Sequence, residues 1–433
     1  MYRRARSNLQ RLYALTKCGK KLVLIFGLCI CAAHMHLAFP ENFVLSKNTE
    51  KGQEFFKTRW VVPFISNGRW GRGPHSNAET CDSCHTMSAP EKTRDKLRDT
   101  RILKLGVRDL QLERKTRPDT RYGNELSRFG VIGQLLPEGD FSLTWINETI
   151  GEVALQRPVP NITDLNFGDF EKDTVFSVRQ GNPLEGIGVL SEIPAETIIQ
   201  FEKEQPNLGL DGRINWVASN KSEKLEIGRF GYKASVPTLF SQVSLAFHDE
   251  LGVTSTDHPN DPCAGTDSVC SELIKISSPE INDERLNQVT AYLKNLTVKS
   301  NRTQFSQDGY DVYRSIRCGD CHRTEVLVTW DTDATEKPEY IDPFTDLLIH
   351  DMGEGLSDNL PEWKARGRDW RTSSLWGLGS KVNSRTYFLH DGRAKTIEEA
   401  IAWHGGEALP SAKAYFSLEP KEKDSLLVFL KSL

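Results

Sequence analysis

The chain has 433 residues, of which 38% are hydrophobic and 26% charged, with 9 Cys and 10 His. That length exceeds one small domain, and the composition excludes a disordered or fibrous chain. The net charge of −4 is spread along the chain, which argues against a nucleic-acid binder.

The N-terminus carries Arg3, Arg4, Arg6, Arg11, Lys17, Lys20 and Lys21, and from Leu22 to Phe39 the chain is apolar apart from His34 and His36. A basic stretch before an apolar run is the pattern of a secretory signal. The run is barely long enough to span a bilayer and has no clean small-x-small cleavage site, so an uncleaved N-terminal anchor is the alternative. Residues 1–39 are therefore set apart from the fold, together with Cys18, Cys29 and Cys31. Export places the other cysteines in an oxidising compartment.

Those cysteines fall in pairs: Cys81/Cys84, Cys263/Cys270 and Cys318/Cys321. The first and last sit in CDSCH and CGDCH. Cys-x-x-Cys-His is the attachment sequence of c-type haem: two thiols form thioethers to the haem vinyl groups, and the adjacent imidazole reaches the iron. His85 and His322 are the proximal candidates. A thioredoxin-like dithiol would need a βαβ setting and would leave both histidines unexplained. Two haem c groups are expected.

After the first motif comes a polar, Arg-rich stretch, then alternating segments at Phe141–Asn147 and Thr174–Gln180 that predict short strands. Residues from about 92 to 229 read as a partly β insertion. Cys263 and Cys270 lie in a Pro/Gly/Asp-rich loop and predict a disulfide; of the histidines only His258 is near enough in sequence to favour a metal instead. LNQVTAYLKNL (Leu286–Leu296) predicts an amphipathic helix, and KDSLLVFLKSL (Lys423–Leu433) predicts a second of the same kind. GQEFF (Gly52–Phe56) precedes the first motif as GYDVYRSIR (Gly309–Arg317) precedes the second. Near the C-terminus, Thr396 caps a helix with Glu398 and Glu399 in its first turn, and that helix ends at His404-Gly405-Gly406-Glu407.

Helix, CxxCH and closing helix together resemble class I cytochrome c. The expected fold is mainly α: two tandem cytochrome c-like domains, 40–300 and 301–433, the first enlarged by the insertion.

The segments GRGPHSNAETCDSCH, GIGVLSEIP, GRFGYKASVPTLFSQ, LIHDMGEGLSD, WRTSSLWGLGS and FLHDGRAKTIEEAIAWHGGEA resemble, in this order and over nearly all of residues 50–433, the bacterial di-haem oxidoreductase family. That family is in turn distantly related to the di-haem cytochrome c peroxidases, in which one haem receives electrons and the other cleaves hydrogen peroxide. Those peroxidases have a Trp, a Gln ten residues on, and a Glu before Met-Gly. Here Tyr232, Gln242 and Glu250-Leu251-Gly252 approximate the pattern, with the Gln-to-Glu spacing two residues shorter. The resemblance implies Glu250 as the proton-moving base and Gln242 as a hydrogen-bond donor to developing charge.

One departure matters: no histidine lies between His85 and His248, where the relatives keep a removable ligand. The first haem is thus expected to be open, with His248 as the alternative ligand. On the second haem, the relatives' methionine ligand aligns with His404; Met352 is the runner-up, and His350 competes. His390 reads as a hydrogen-bonding neighbour. Gly405 and Gly406 would let a haem plane approach, with Glu407 near the ligand. Tyr232, Trp370 and Trp376 are candidates for the electron path, and the relatives hold a calcium between their halves.

The implied protein is a periplasmic di-haem peroxidase. Electrons from a small cytochrome or cupredoxin enter at the C-terminal haem and reduce peroxide or a similar oxidant at the N-terminal haem. A two-haem electron carrier and a protein-modifying di-haem oxidase are the alternatives. No nucleic acid is expected as partner, and a membrane only through the N-terminal segment.

Overall fold

Residue pattern and helix crossing repeat together in the two halves of the chain. The helix Lys47–Lys57 begins at Ser46, whose Oγ accepts from Thr49 N at 3.3 Å, and it carries Glu50 in its first turn and Lys57 in its last. The helix Gln307–Ser315 begins alike, with Ser306 Oγ accepting from Gly309 N at 3.0 Å. Lys47–Lys57 packs on Asp283–Lys294, and Gln307–Ser315 packs on Pro420–Ser432. Both crossings fall on a glycine. A Cβ at Gly52 would lie 1.9 Å from Gln288 O, and one at Gly309 would lie 2.1 Å from Ser425 O. One turn on, Phe56 meets Tyr292 and Tyr313 meets Phe429, each with ring centroids 5.4 Å apart. The spacing Gly-x-x-x-aromatic sets both contacts.

This computed structural model describes residues 46–61, 71–85, 101–112, 114–130, 135–219, 222–263, 270, 279–298, 305–332, 335–383 and 387–433. The expected leader, with Cys18, Cys29 and Cys31, lies outside them. The described residues belong to the unit His36–Leu433. Among them, no helix is long and apolar enough to cross a membrane.

Between the first CxxCH and the helix Leu239–Leu251 much of the chain is extended. Ile102–Arg108 is the centre of a three-stranded antiparallel sheet, flanked by Thr116–Arg117 and Thr174–Arg179. Asp140–Ile150 and Val153–Thr163 form a hairpin turned at Gly151, where φ is 61°. Leu103, Leu105, Tyr122, Leu126, Phe141 and Val178 form a core under these strands. Cys263 and Cys270 are disulfide-bonded.

The expected mainly α, tandem cytochrome c-like fold is overturned. Helix accounts for 34% and strand for 23% of the structure, in several small sheets. Nor are the strands confined to the inserted segment: Val326–Thr332 pairs with Thr335–Ile341, and Ile349–Asp351 with Asp369–Arg371. Period-two burial is the cause. Val326 and Val328 are buried while Leu327, between them, is 43% exposed. The partner strand, with Pro338 and several charges, hides that alternation from a sequence reading.

Segments far apart in sequence close on a buried charge cluster. Arg179 pairs with Asp358 at 3.1 Å and with Glu362 at 2.7 Å, and Lys233 pairs with Asp358 at 3.1 Å. Lys233 Nζ also donates to the carbonyls of Arg366, Gly367 and Asp369. Two cations meet two carboxylates, so the buried charge cancels.

Candidate functional site

The two CxxCH motifs fold into the same short turn. In the first, His85 N donates to Cys81 O at 3.0 Å, and in the second, His322 N donates to Cys318 O at 3.0 Å. This brings the four sulfurs and both imidazoles to one continuous cavity of about 520 Å³. Neither cysteine pair forms a disulfide. Burial, first of all, pushes the Cys81, Cys84 and Cys318 thiols up to about 12, so they favour neutral sulfur, as in a thioether, over a free thiolate.

Each histidine is held by a backbone carbonyl. His85 Nδ1 lies 2.8 Å from Asn182 O, and His322 Nδ1 lies 2.9 Å from Phe344 O. Burial lowers the pKa of both, that of His322 to about 4, so the rings are neutral. With Nδ1–H donated to a carbonyl, the Nε2 lone pair is left for a metal. The donor set fits two c-type haems.

His404 has the same preparation. The helix Ile397–Ala402 is capped by Thr396 Oγ1 and ends at Trp403, and His404 Nδ1 reaches back to Ala400 O at 2.7 Å. The ring is neutral because burial lowers its pKa. It lines the same cavity as His322, and a charge on it would lower the His322 pKa. Met352 also lines the cavity. His350 is committed elsewhere: Nε2 lies 2.9 Å from Asp346 Oδ2, and Nδ1 lies 3.0 Å from Glu407 Oε2. Burial alone would lower its pKa, but Asp346 and its other partners raise it well above the ordinary value. A protonated ring has no lone pair for iron.

Glu407 therefore clamps His350 rather than His404, and it also accepts from Asp351 N and Asp211 N, each at 2.8 Å. The glycines after His404 have a reason other than room for a haem. A Cβ at Gly406, where φ is 52°, would lie 2.1 Å from Asp351 O.

Around the first motif, the helix Leu239–Leu251 is capped by Thr238 Oγ1 and stopped at Gly252. Gln242, Ala246 and Glu250, four residues apart, line the cavity. Glu250 Oε2 is buried and has no hydrogen-bond partner. Burial, first of all, raises the Glu250 carboxyl to about 7, and the charge of Asp249 adds to this. Glu125, from the strand-rich segment, lies close enough to Glu250 for the two carboxyls to act on each other, and is itself raised well above the usual carboxylate range by burial and by the charges of Glu250 and Asp249. Asn77 Nδ2 donates to Glu125 Oε1 at 2.9 Å, and Asn77 N donates to Glu250 O at 2.8 Å. His248 is turned to other partners, with Nδ1 at 2.8 Å from Asp249 Oδ1 and Nε2 at 3.0 Å from Asn260 O.

Of the aromatic candidates, Tyr232 and Trp370 come together. Their ring centroids are 6.4 Å apart, and Trp370 stacks on His390 at 3.8 Å with 14° between planes. Lys233 Nζ lies 4.0 Å from the Trp370 centroid. Trp376 lines the cavity separately, with Nε1 donating to Asp342 O at 2.8 Å. Sequence reasoning missed Glu125, Asn77 and the charge cluster under Trp370. Asn77, Lys233 and Asp358 lie in segments that carry the family resemblance, but nothing there gave them a role, and no motif marks Glu125, Arg179 or Glu362.

The pair of carbonyl-anchored CxxCH histidines on one cavity defines a two-haem redox protein. Residues 160–433 match the family model described as "Di-haem oxidoreductase, putative peroxidase", and the chain belongs to that di-haem oxidoreductase family. It is a haem-dependent oxidoreductase. No curated protein matches the chain. A solved structure, "Kuenenia stuttgartiensis Hydrazine Synthase Pressurized with 20 bar Xenon", is similar at 19% identity over 36% of this chain and 57% of that chain, with a TM-score of 0.24. The chain thus spans little more than half of that protein, and so low a score carries no argument.

Proposed function

We propose that the protein is a periplasmic di-haem peroxidase. One haem c is carried by Cys81 and Cys84 with His85 on its iron, and the other by Cys318 and Cys321 with His322 and His404. The same reading divides the chain into a peroxide-reducing part, 40–300, and an electron-receiving part, 301–433. Electrons come from a small cytochrome or cupredoxin and leave on hydrogen peroxide or a similar small oxidant.

The haem irons, when bound, supply the electrons and the place at which the O–O bond breaks. The chain supplies the proton chemistry. Glu250 takes the proton from the inner peroxide oxygen and returns it to the outer one, so that the leaving group departs as water. A pKa of about 7 suits both halves of that exchange at neutral pH. Gln242, on the same helix face, donates a hydrogen bond to charge developing on the outer oxygen. Tyr232 and Trp370 stand as the aromatic path between the two attachment sites.

The observation that carries this reading is the buried, unpartnered Glu250 Oε2 on the cavity wall. A pure electron carrier has no use for it. The test is electron paramagnetic resonance of the purified protein, followed by turnover of peroxide with reduced cytochrome c. A high-spin ferric signal is expected beside a low-spin one, and Glu250→Gln should slow turnover by about 10²–10⁴-fold. Two low-spin haems that ignore peroxide would sink the proposal.

A further inference from the structure

We propose that Glu125 is the proton source for Glu250, held against it by Asn77, so that the two carboxyls work as a dyad. This rests on the peroxidase reading and adds a residue to it. Three segments build the arrangement. Asn77 precedes the first CxxCH and binds Glu250 through its backbone and Glu125 through its side chain. Asn77 Oδ1 accepts from Arg128 N at 3.1 Å, which fixes the amide so that Nδ2 points at Glu125. Glu125 is 6% exposed and lines the same cavity as Glu250.

Two carboxylates in contact in a buried place cannot both be ionised, so at least one proton resides on the pair. The groups facing them are Asp249, whose charge favours keeping that proton, and Lys104, whose charge favours losing it. The Cys81 and Cys84 sulfurs face Glu250 from the attachment turn. Asn77 donates to Glu125 Oε1, which leaves Oε2 to carry the proton, and a hydrogen bond from Glu125 favours the ionised form of Glu250. The resting arrangement is a Glu125 acid donating to a Glu250 carboxylate.

Reduction of H2O2 to two waters takes up two electrons and two protons. The redox donor supplies the electrons. Moving a proton between the two peroxide oxygens, as Glu250 does, supplies no net proton. In the dyad, the Glu125 O–H bond breaks as a new O–H bond forms on Glu250. Glu250 then gives that proton to an oxygen of the substrate and returns to carboxylate, and Glu125 is reprotonated from water. Two passes complete the stoichiometry.

The test is Glu125→Gln in the holoprotein. The amide can donate to Glu250 and keeps the shape of the site but cannot pass a proton. Infrared difference spectroscopy should show, in the wild type at neutral pH, a protonated-carboxyl C=O band that shifts in D2O, and Glu125→Gln should lose it. Peroxide turnover should fall about tenfold at pH 8 and recover towards pH 5, where the solvent can protonate Glu250 directly. Wild-type turnover at every pH, or an unchanged band, overturns the proposal, and so does an equal loss at all pH values. Should Glu125→Gln lower haem content, Glu125→Asp carries the test. It should keep a carboxyl band and exceed Glu125→Gln turnover at pH 8, and failure on either count overturns the proposal. Glu250→Gln separates the two ideas: full activity there ends the peroxidase reading, whereas loss there with none in Glu125→Gln ends only the dyad.

Discussion

Replacing Asp358 by Asn tests whether the charge cluster beneath Trp370 is electrostatically closed. Asp358 meets Arg179 at 3.1 Å and Lys233 at 3.1 Å, and the three side chains are 3%, 6% and 0% exposed. Asn preserves the shape, and its one amide oxygen can still accept from Leu360 N, which lies 3.0 Å from Oδ1, while the amide nitrogen takes the place of Oδ2 beside Ser177 Oγ. It removes one of two anions and leaves a buried net positive charge. Removing one partner of a buried pair costs about 3–5 kcal/mol, mostly because the orphaned charge has lost its water. The penalty should shrink as pH rises through the depressed pKa of Lys233, which burial already lowers, because deprotonation discharges the site. Urea unfolding at pH 6 and pH 9, followed by haem absorbance and circular dichroism, measures it. Lys233→Met in the same background should recover most of the loss, since it discharges the site in another way. A single-variant loss below about 1 kcal/mol, or strictly additive losses in the double variant, would refute the argument.

His404→Ala should convert the low-spin ferric signal to high-spin while Met352→Leu leaves it intact; the opposite pattern would transfer the ligand to Met352. Glu250→Gln should stabilise the fold at pH 8 by on the order of 1–3 kcal/mol but hardly at pH 4. The native carboxyl, raised from 4.5 to about 7, binds its proton where the unfolded one has released it, so folding loses stability as pH rises through that window. Denaturant midpoints at the two pH values decide this. Gly309→Ala, whose Cβ would lie 2.1 Å from Ser425 O, must push two helices apart, at about 1–3 kcal/mol. Because that helix leads into Cys318, haem incorporation per mole of protein should fall too, and unchanged incorporation and stability would argue against the crossing as a fixed contact.

Local chemistry made much of the site readable in the sequence. A CxxCH turn closes on itself within five residues, so both motifs and their histidines are legible without any fold. The segments at Phe141–Asn147 and Thr174–Gln180 announced strands through period-two alternation. His404 was singled out by resemblance, where the relatives keep a methionine after a segment like TIEEAI, and it lines the cavity that His322 lines. What failed needed contacts across the chain. Glu125 touches Glu250 over a separation that no motif spans, and Asn77 looks like an ordinary loop residue. The strand partner Thr335–Ile341 carries Pro and charges that mask pairing. The glycines after His404 were read only as room for a haem plane, and the close approach of Gly406 to Asp351 O and of Gly405 to Met352 O was not visible. Helix signals outnumbered visible strand signals, which is why the fold read as mainly α.

That tight fit of Gly406 against Asp351 has a mechanical consequence. Asp351 ends the short strand that pairs His350 with Trp370, so the loop bearing His404 leans on the same two-stranded platform that carries the tryptophan. With Glu407 tied at once to His350, Asp351 and Asp211, the loop has little freedom to swing. Under the proposed ligation by His404, a centre changing oxidation state on so stiff a mount would move few atoms, which favours quick electron exchange, and the imidazole would make a poor gate for an incoming substrate.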